Sequence, residues 1–271
     1  MKTLKIKIGI MFLVFLMGSA AYAQKEGKLE IPLSDPGQRG KLSADIHIGS
    51  IKIIGYEGRN VVVNYKSRQG KVKKAPAEKD GLKRISGSSF DLEASEEDNY
   101  VVVESDSWTQ GVDLTIQVPK NFDINVSTYN NGEVHVTDVV GEVNAENYNG
   151  KITLEKISGS VTADTYNGDI KVTFDKITAD TPMAFNTYNG DVDLTLPSST
   201  KAEFKMKTQR GDIFSGFDLQ MKNDQPAINN REKSGKQYKV VINNWVRGVI
   251  NGGGPEFTIK NYNGDIYLRK N

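Results

Sequence analysis

Five acids share one offset in the chain. Glu133, Asp169, Asp191, Asp212 and Asp265 each follow a glycine, and Lys151 takes the same place in one copy. A column of carboxylates could hold Ca²⁺, and two of them could serve as the acid and nucleophile of glycoside hydrolysis. The plainer reading is a solvated charge ladder in which Lys151 offsets Glu133 and Asp169. The sequence favours it, because a repeat explains the spacing without catalysis and the glycine/aspartate nonapeptide of Ca²⁺-binding repeats is absent. His47 lies between Ile46 and Ile48, and His135 between Val134 and Val136, both on the polar parity of a strand with no third partner in view. They read as exposed strand residues. There is no G-x-S-x-G elbow. Gly252-Gly253-Gly254 runs into Pro255 without the Lys-Ser/Thr of a phosphate loop. With no Cys in the chain, thiol catalysis, disulfides, cysteine-ligated zinc and a lipidated N-terminal cysteine are excluded. The expectation is therefore no catalytic residue, no metal, no cofactor and no enzyme.

The tyrosines are the better candidates for binding. Tyr129, Tyr148, Tyr166 and Tyr188 repeat at one offset. Facing out, their rings would form a flat platform for sugar rings or a partner surface. Facing in, or lying flat on a turn, they are packing, and recurrence on nearly every repeat favours packing. Trp108 and Trp245 lie outside the regular repeats, where either could plug an end or mark a contact.

These residues are positioned by an internal repeat. Tyr148-Asn149-Gly150, Tyr166-Asn167-Gly168, Tyr188-Asn189-Gly190 and Tyr262-Asn263-Gly264 are one tripeptide; Tyr129-Asn130-Asn131-Gly132 carries an extra Asn, and Gln209-Arg210-Gly211 is a degenerate copy. Successive glycines from Gly132 to Gly211 are 18, 18, 22 and 21 residues apart, with half-way glycines at Gly141 and Gly159. Apolar residues keep the same count. Val134, Val136, Val139, Val143 and Ala145 correspond to Ile152, Leu154, Ile157, Val161 and Ala163. Each half-repeat thus carries one short strand with one apolar face. Asn-Gly is a strong hairpin signal, so an antiparallel meander is one reading. The fixed period favours another, a β-solenoid with 18–22-residue coils and equivalent strands stacked in parallel. Asn side chains would then bond up and down the stack and Tyr rings would lie one on another.

The flanks extend the pattern through Gly49-Ser50-Ile51-Lys52-Ile53, Val112–Pro119 and Phe257-Thr258-Ile259, and two polar excursions interrupt it at about 67–98 and 217–240. At the N-terminus, Lys2, Lys5 and Lys7, an apolar run from Ile8 to Met17 and Ala21-Tyr22-Ala23 form a secretory signal peptide over 1–23, cleaved before Gln24. The apolar run is too short to span a bilayer. Residues 24–40 are a lead-in and 41–271 a single domain. Losing the three leader lysines turns the formal charge from +1 to −2, which excludes a general nucleic-acid binder. The chain is expected to be exported, periplasmic or extracellular, and not membrane-spanning.

The early Gly-Ser-Ile-Lys-Ile, the Val112–Pro119 strand, the serial Tyr-Asn-Gly copies and the Gly-Gly-Gly-Pro before the closing Asn-Gly-Asp-Ile resemble the bacterial DUF4097 ("putative adhesin") family over roughly 40–271. The resemblance implies an all-β, single-stranded, right-handed parallel β-solenoid of envelope or surface proteins. It brings no catalytic residues. Two departures are a four-residue insertion within Ala179–Asn186 and the loss of Tyr-Asn at Gln209-Arg210. Three functions follow as expectations. The first is a non-enzymatic envelope or cell-surface protein binding a glycan, a protein or another copy of itself. The second is an envelope-stress sensor acting through protein contacts at its excursions. The third is a polysaccharide-active enzyme, which would need Asp169, Asp191 and Asp212 to line one cleft.

Overall fold

The computed structural model describes residues 26–68, 78–79, 82–83, 91–222, 228–229, 241–242 and 245–271. The expected signal peptide and much of both polar excursions lie outside these residues. The described chain is all β, with no helix. Twenty strands form one sheet. In chain order they begin with β1 (Glu26–Pro32), β2 (Gly40–Ile48), β3 (Ile51–Tyr56), β4 (Asn60–Ser67), β5 (Glu93–Glu97), β6 (Tyr100–Ser105), β7 (Val112–Pro119), β8 (Phe122–Asn130), β9 (Val134–Thr137) and β10 (Val140–Asn149). They continue with β11 (Ile152–Asn167), β12 (Ile170–Ile177), β13 (Met183–Asn189), β14 (Val192–Leu196), β15 (Ala202–Lys207), β16 (Ile213–Ser215), β17 (Gln220–Met221), β18 (Val246–Ile250), β19 (Glu256–Asn263) and β20 (Ile266–Lys270).

Alternation of apolar and polar residues gives each strand one buried face, and those faces meet in a core of Val, Ile, Leu, Ala and Phe. The strands pair in two parallel ladders. The first runs β6–β2–β8–β10–β11–β13–β19–β15. The second runs β7–β3–β9–β11–β12–β14–β20–β16. The long strand β11 belongs to both: Ile152–Glu155 pair in the second ladder and Ser158–Asn167 in the first. The hairpin reading of Asn-Gly is therefore replaced by parallel stacking with like residues in register, such as Val143 beside Val161 and Ile152 beside Ile170.

The glycines explain this. A Cβ on Gly150 would strike the carbonyl oxygen of Gly132, one on Gly168 that of Gly150, and one on Gly264 that of Gly190. Close approach of one corner to the next, more than turn conformation, requires glycine here: Gly190 and Gly264 have positive φ, but Gly132, Gly150 and Gly168 do not. The extra Asn131 is absorbed at φ 55°. The insertion at 179–186 leaves the register intact, with Ala163 beside Phe185 and Asn167 beside Asn189.

Order along the ladders is not order along the chain. β6 and β7 stack outside β2 and β3, while β8 and β9 lie on their other side. At the opposite end, β19 and β20 slot between β13/β14 and β15/β16. The copy at Gly211 therefore stacks on Gly264 rather than on Gly190, contrary to the sequence count. Antiparallel strands cover ladder ends: β4 on β7 with β1 on β4, β5 on β6, and β18 on β15 with β17 on β18. The lead-in thus supplies a capping strand.

Candidate functional site

Each repeat tyrosine stands two residues before its corner glycine, or three for Tyr129 with its extra Asn131, on the outer face of the first ladder. Register puts the rings one above another. Their centroids are 4.7 Å apart for Tyr129–Tyr148, 5.2 Å for Tyr148–Tyr166, 4.9 Å for Tyr166–Tyr188 and 4.5 Å for Tyr188–Tyr262, with planes within 16° of parallel. Tyr262 completes the row. The sequence showed its tripeptide but not its place, because β19 is inserted out of order. The rings face outward, with Tyr129, Tyr148 and Tyr166 about two-fifths exposed. Their faces are turned to one another, so the row presents edges and hydroxyls to solvent and is not the flat platform the sequence allowed.

Both ends of the row are closed. His47 stands two residues before Gly49, the tyrosine offset, and pairing of Thr128 with Ile46 and of Asn130 with Ile48 brings it level with Tyr129. The Trp108 ring lies 3.8 Å from the His47 ring and 6.1 Å, edge-on, from Tyr129. It is 62% exposed, the largest open aromatic surface on this face. At the other end the Arg210 guanidinium sits 5.8 Å over the Tyr262 ring. Burial among its neighbours, followed by the nearby Tyr262 and Tyr166, pushes the Tyr188 hydroxyl above the usual tyrosine range.

Hydrogen-bond ladders fix the row's footing. Asn149, Asn167, Asn189 and Asn263 each donate through Nδ2 to Oδ1 of the Asn on the adjacent strand, at 2.7–2.9 Å. One residue before the tyrosines, Thr128, Thr165 and Thr187 donate their hydroxyls to the carbonyls of Gly49, Gly150 and Gly168. Asn147 and Asn261 do the same with their amides toward Gly132 and Gly190, which leaves each Oδ1 buried without a partner.

Charge is graded along this face. Two residues before the tyrosine offset the order in space is Glu104, Asp45, Ser127, Glu146, Asp164, Asn186, Lys260, Lys207. A hollow of about 340 Å³ beside Tyr129, Tyr148 and Tyr166 contains Glu146 and Asp164. A second, of about 450 Å³ beside Tyr188 and Tyr262, contains Lys207, Lys260, Gln209 and Asn186. Lys205 and Lys207 lie 4.9 and 6.0 Å from the Trp245 ring, which places the second tryptophan at the basic end.

The acid column occupies the other face and is spent on structure. Asp169 Oδ1 accepts the Asp191 amide, Asp191 Oδ1 the Asp265 amide, and Asp265 Oδ1 the Asp212 amide, at 2.8–2.9 Å. Lys151 pairs with Glu133 at 3.3 Å. Asp169 and Asp191 share a hollow with Asp193, Lys171 and Arg269, but Asp212 is not in it. Arg269 is bound to Asp193 at 2.7 Å, which holds its guanidinium above the usual range. Tyr267 donates to Asp265, and that bond raises its hydroxyl likewise. His135 rests 3.3 Å from Glu155, and His47 Nδ1 3.3 Å from the Ser105 carbonyl. No group of three or more His, Asp or Glu able to hold a metal occurs among the described residues. None of the described residues forms a helix long and apolar enough to cross a membrane.

Fold and face together define a class: an all-β ladder protein with a stacked tyrosine row on one outer surface. Residues 130–244 match the family described as Toastrack DUF4097, the family that the repeat motifs resemble. Two solved structures are similar in outline at 11% identity, both covering 92% of this chain. One is described as a "putative cell adhesion protein" from Clostridium sporogenes ATCC 15579, with TM-score 0.46 over 100% of its own length. The other is a "putative adhesin" from Bacteroides fragilis NCTC 9343, with TM-score 0.41 over 98%. No curated protein matches the chain.

Proposed function

We propose that this protein is an exported, non-enzymatic binding module of the cell envelope or surface, built as a single-stranded right-handed β-solenoid, and that the tyrosine row Tyr129–Tyr148–Tyr166–Tyr188 with Tyr262 is its contact surface. One observation carries this reading: five rings with outward hydroxyl edges are held in register by side-chain ladders behind them. A regular line of edges and hydroxyls suits a partner that is itself regular and polar, such as a glycan chain. Of the carboxylates that a hydrolase would need, Asp169 and Asp191 each accept the next strand's amide, and Asp212 does not share their hollow. The signal peptide, with cleavage before Gln24, belongs to this reading as well.

Glycan-array binding of Tyr166→Phe and Tyr166→Ala tests the proposal. Phe keeps the stack and removes one hydroxyl. Ala removes two ring contacts worth about 0.5–1.5 kcal/mol each, so it also lowers stability. Loss of binding in a folded Tyr166→Phe supports the row as the contact. Unchanged binding in both variants defeats it.

A further inference from the structure

We infer that the basic end of the tyrosine row is a subsite for an anionic glycan, a sugar chain bearing carboxylate or sulfate groups; this rests on the row being the binding surface. Lys207 and Arg210 come from β15 and the corner after it, and the out-of-order insertion of β19 brings Lys260 beside them. None has a carboxylate within ion-pair distance among the described residues. Several cations elsewhere are paired: Lys151 with Glu133, Lys120 with Glu57, Arg39 with Asp123 and Lys222 with Glu203. Lys207 and Lys260 flank the 450 Å³ hollow, Tyr188, Thr187, Asn186 and Gln209 add hydroxyl and amide groups to its wall, and Asp164 closes its far side. An unmatched pair of cations beside such a wall fits a ligand that is both charged and rich in hydroxyls.

The geometry disfavours other polyanions. Single-stranded nucleic acid is held by bases stacking on open aromatic faces, and here each ring face meets another ring or Arg210. An acidic peptide would add to a free strand edge, but β13, β19 and β15 are paired on both sides. Asp164 bounds the hollow and donates nothing; its carboxylate accepts from Asn186 at 2.7 Å. With Glu146 beyond it, the acidic half of the row repels an anion and confines it to the Lys207 end.

Calorimetry on the purified full chain at low salt provides the test, with three probes: a galacturonic acid hexamer, its methyl-esterified counterpart and inorganic phosphate. The hexamer should bind, and the neutral ester and phosphate should each bind at least about tenfold more weakly. Lys207→Glu and Lys260→Glu should each cost about tenfold or more, and their Gln variants less. Lys52→Glu, on the opposite face, should leave binding unchanged, and added salt should weaken it. Equal binding of hexamer and ester, equal binding of phosphate, or indifference to both lysine reversals in folded variants overturns the inference. If the ester binds and Tyr166→Phe abolishes its binding while the lysine variants do not matter, the inference falls and the tyrosine reading stands. Absence of binding by all three probes also overturns the inference, and the glycan-array test of the row then decides the wider reading.

Discussion

Asn147 and Asn261 show how a repeat can carry a local defect. Their amides do the work that threonine hydroxyls do at 128, 165 and 187, yet each buries a carbonyl oxygen with nothing to bond. An unpaired buried acceptor costs about 1–3 kcal/mol. Asn147→Thr and Asn261→Thr should therefore raise stability, each by about 1 kcal/mol once imperfect packing is allowed for. Denaturant titration would show it, and lowered midpoints would mean that the amides have another role. The tyrosine, asparagine and glycine columns were legible in the sequence because each kind of residue does the same thing on every strand. The basic cluster was not. Lys207, Arg210 and Lys260 share no motif, and Lys260 joins the other two through strand order, which local periodicity does not encode.

Between residue and molecule stand the corners and caps. Gly150→Ala places a methyl group on the Gly132 carbonyl and should cost about 3 kcal/mol or more, whereas Gly216→Ala meets only ordinary contacts and should be nearly neutral. Thermal melting of the pair separates close approach from a general preference for glycine. At the other end, Glu96 on β5 ties the lead-in to the β5–β6 turn: it accepts the Ser34 amide at 2.9 Å, the Ser34 hydroxyl at 3.1 Å and the Asn99 amide at 2.9 Å. The Ser34 amide foremost, then that of Asn99, holds this carboxyl below its ordinary value. A depressed carboxyl contributes stability above its unfolded-state pKa and loses it as pH falls through the folded one. Glu96→Gln should thus lower the melting temperature at neutral pH, with the gap to wild type closing in acid. A gap that does not vary with pH would remove the charge from the explanation. The sequence showed the strand near Val101–Glu104, but 24–40 read only as a lead-in and 93–98 as part of a polar excursion, whereas both carry strands, β1 and β5, that cover ladder ends.

For the whole molecule, the copies themselves held a clue to their order. Tyr262-Asn263-Gly264 is a full copy and lies inside the stack; Gln209-Arg210-Gly211 is degenerate and lies outside it, where no further ring awaits stacking. Equal periods conceal this, because either copy fits above Gly190. Deleting residues 256–271 should then do more than fray an end. It strips β13 and β14 of one partner each and detaches β15 and β16 from the ladders, so loss of cooperative unfolding is expected, and a merely shortened but still cooperative protein would contradict the strand order. The same arrangement sets a timetable for a chain that emerges N-terminus first. Residues 202–215 are complete long before their parallel seat exists and must wait, with only β18 to pair β15, until residues 256–270 arrive and wedge in beneath them. During that interval the open edge of β13 and the unseated β15 are within reach of each other, and premature closure of that gap is the misfolding to which this topology is most exposed.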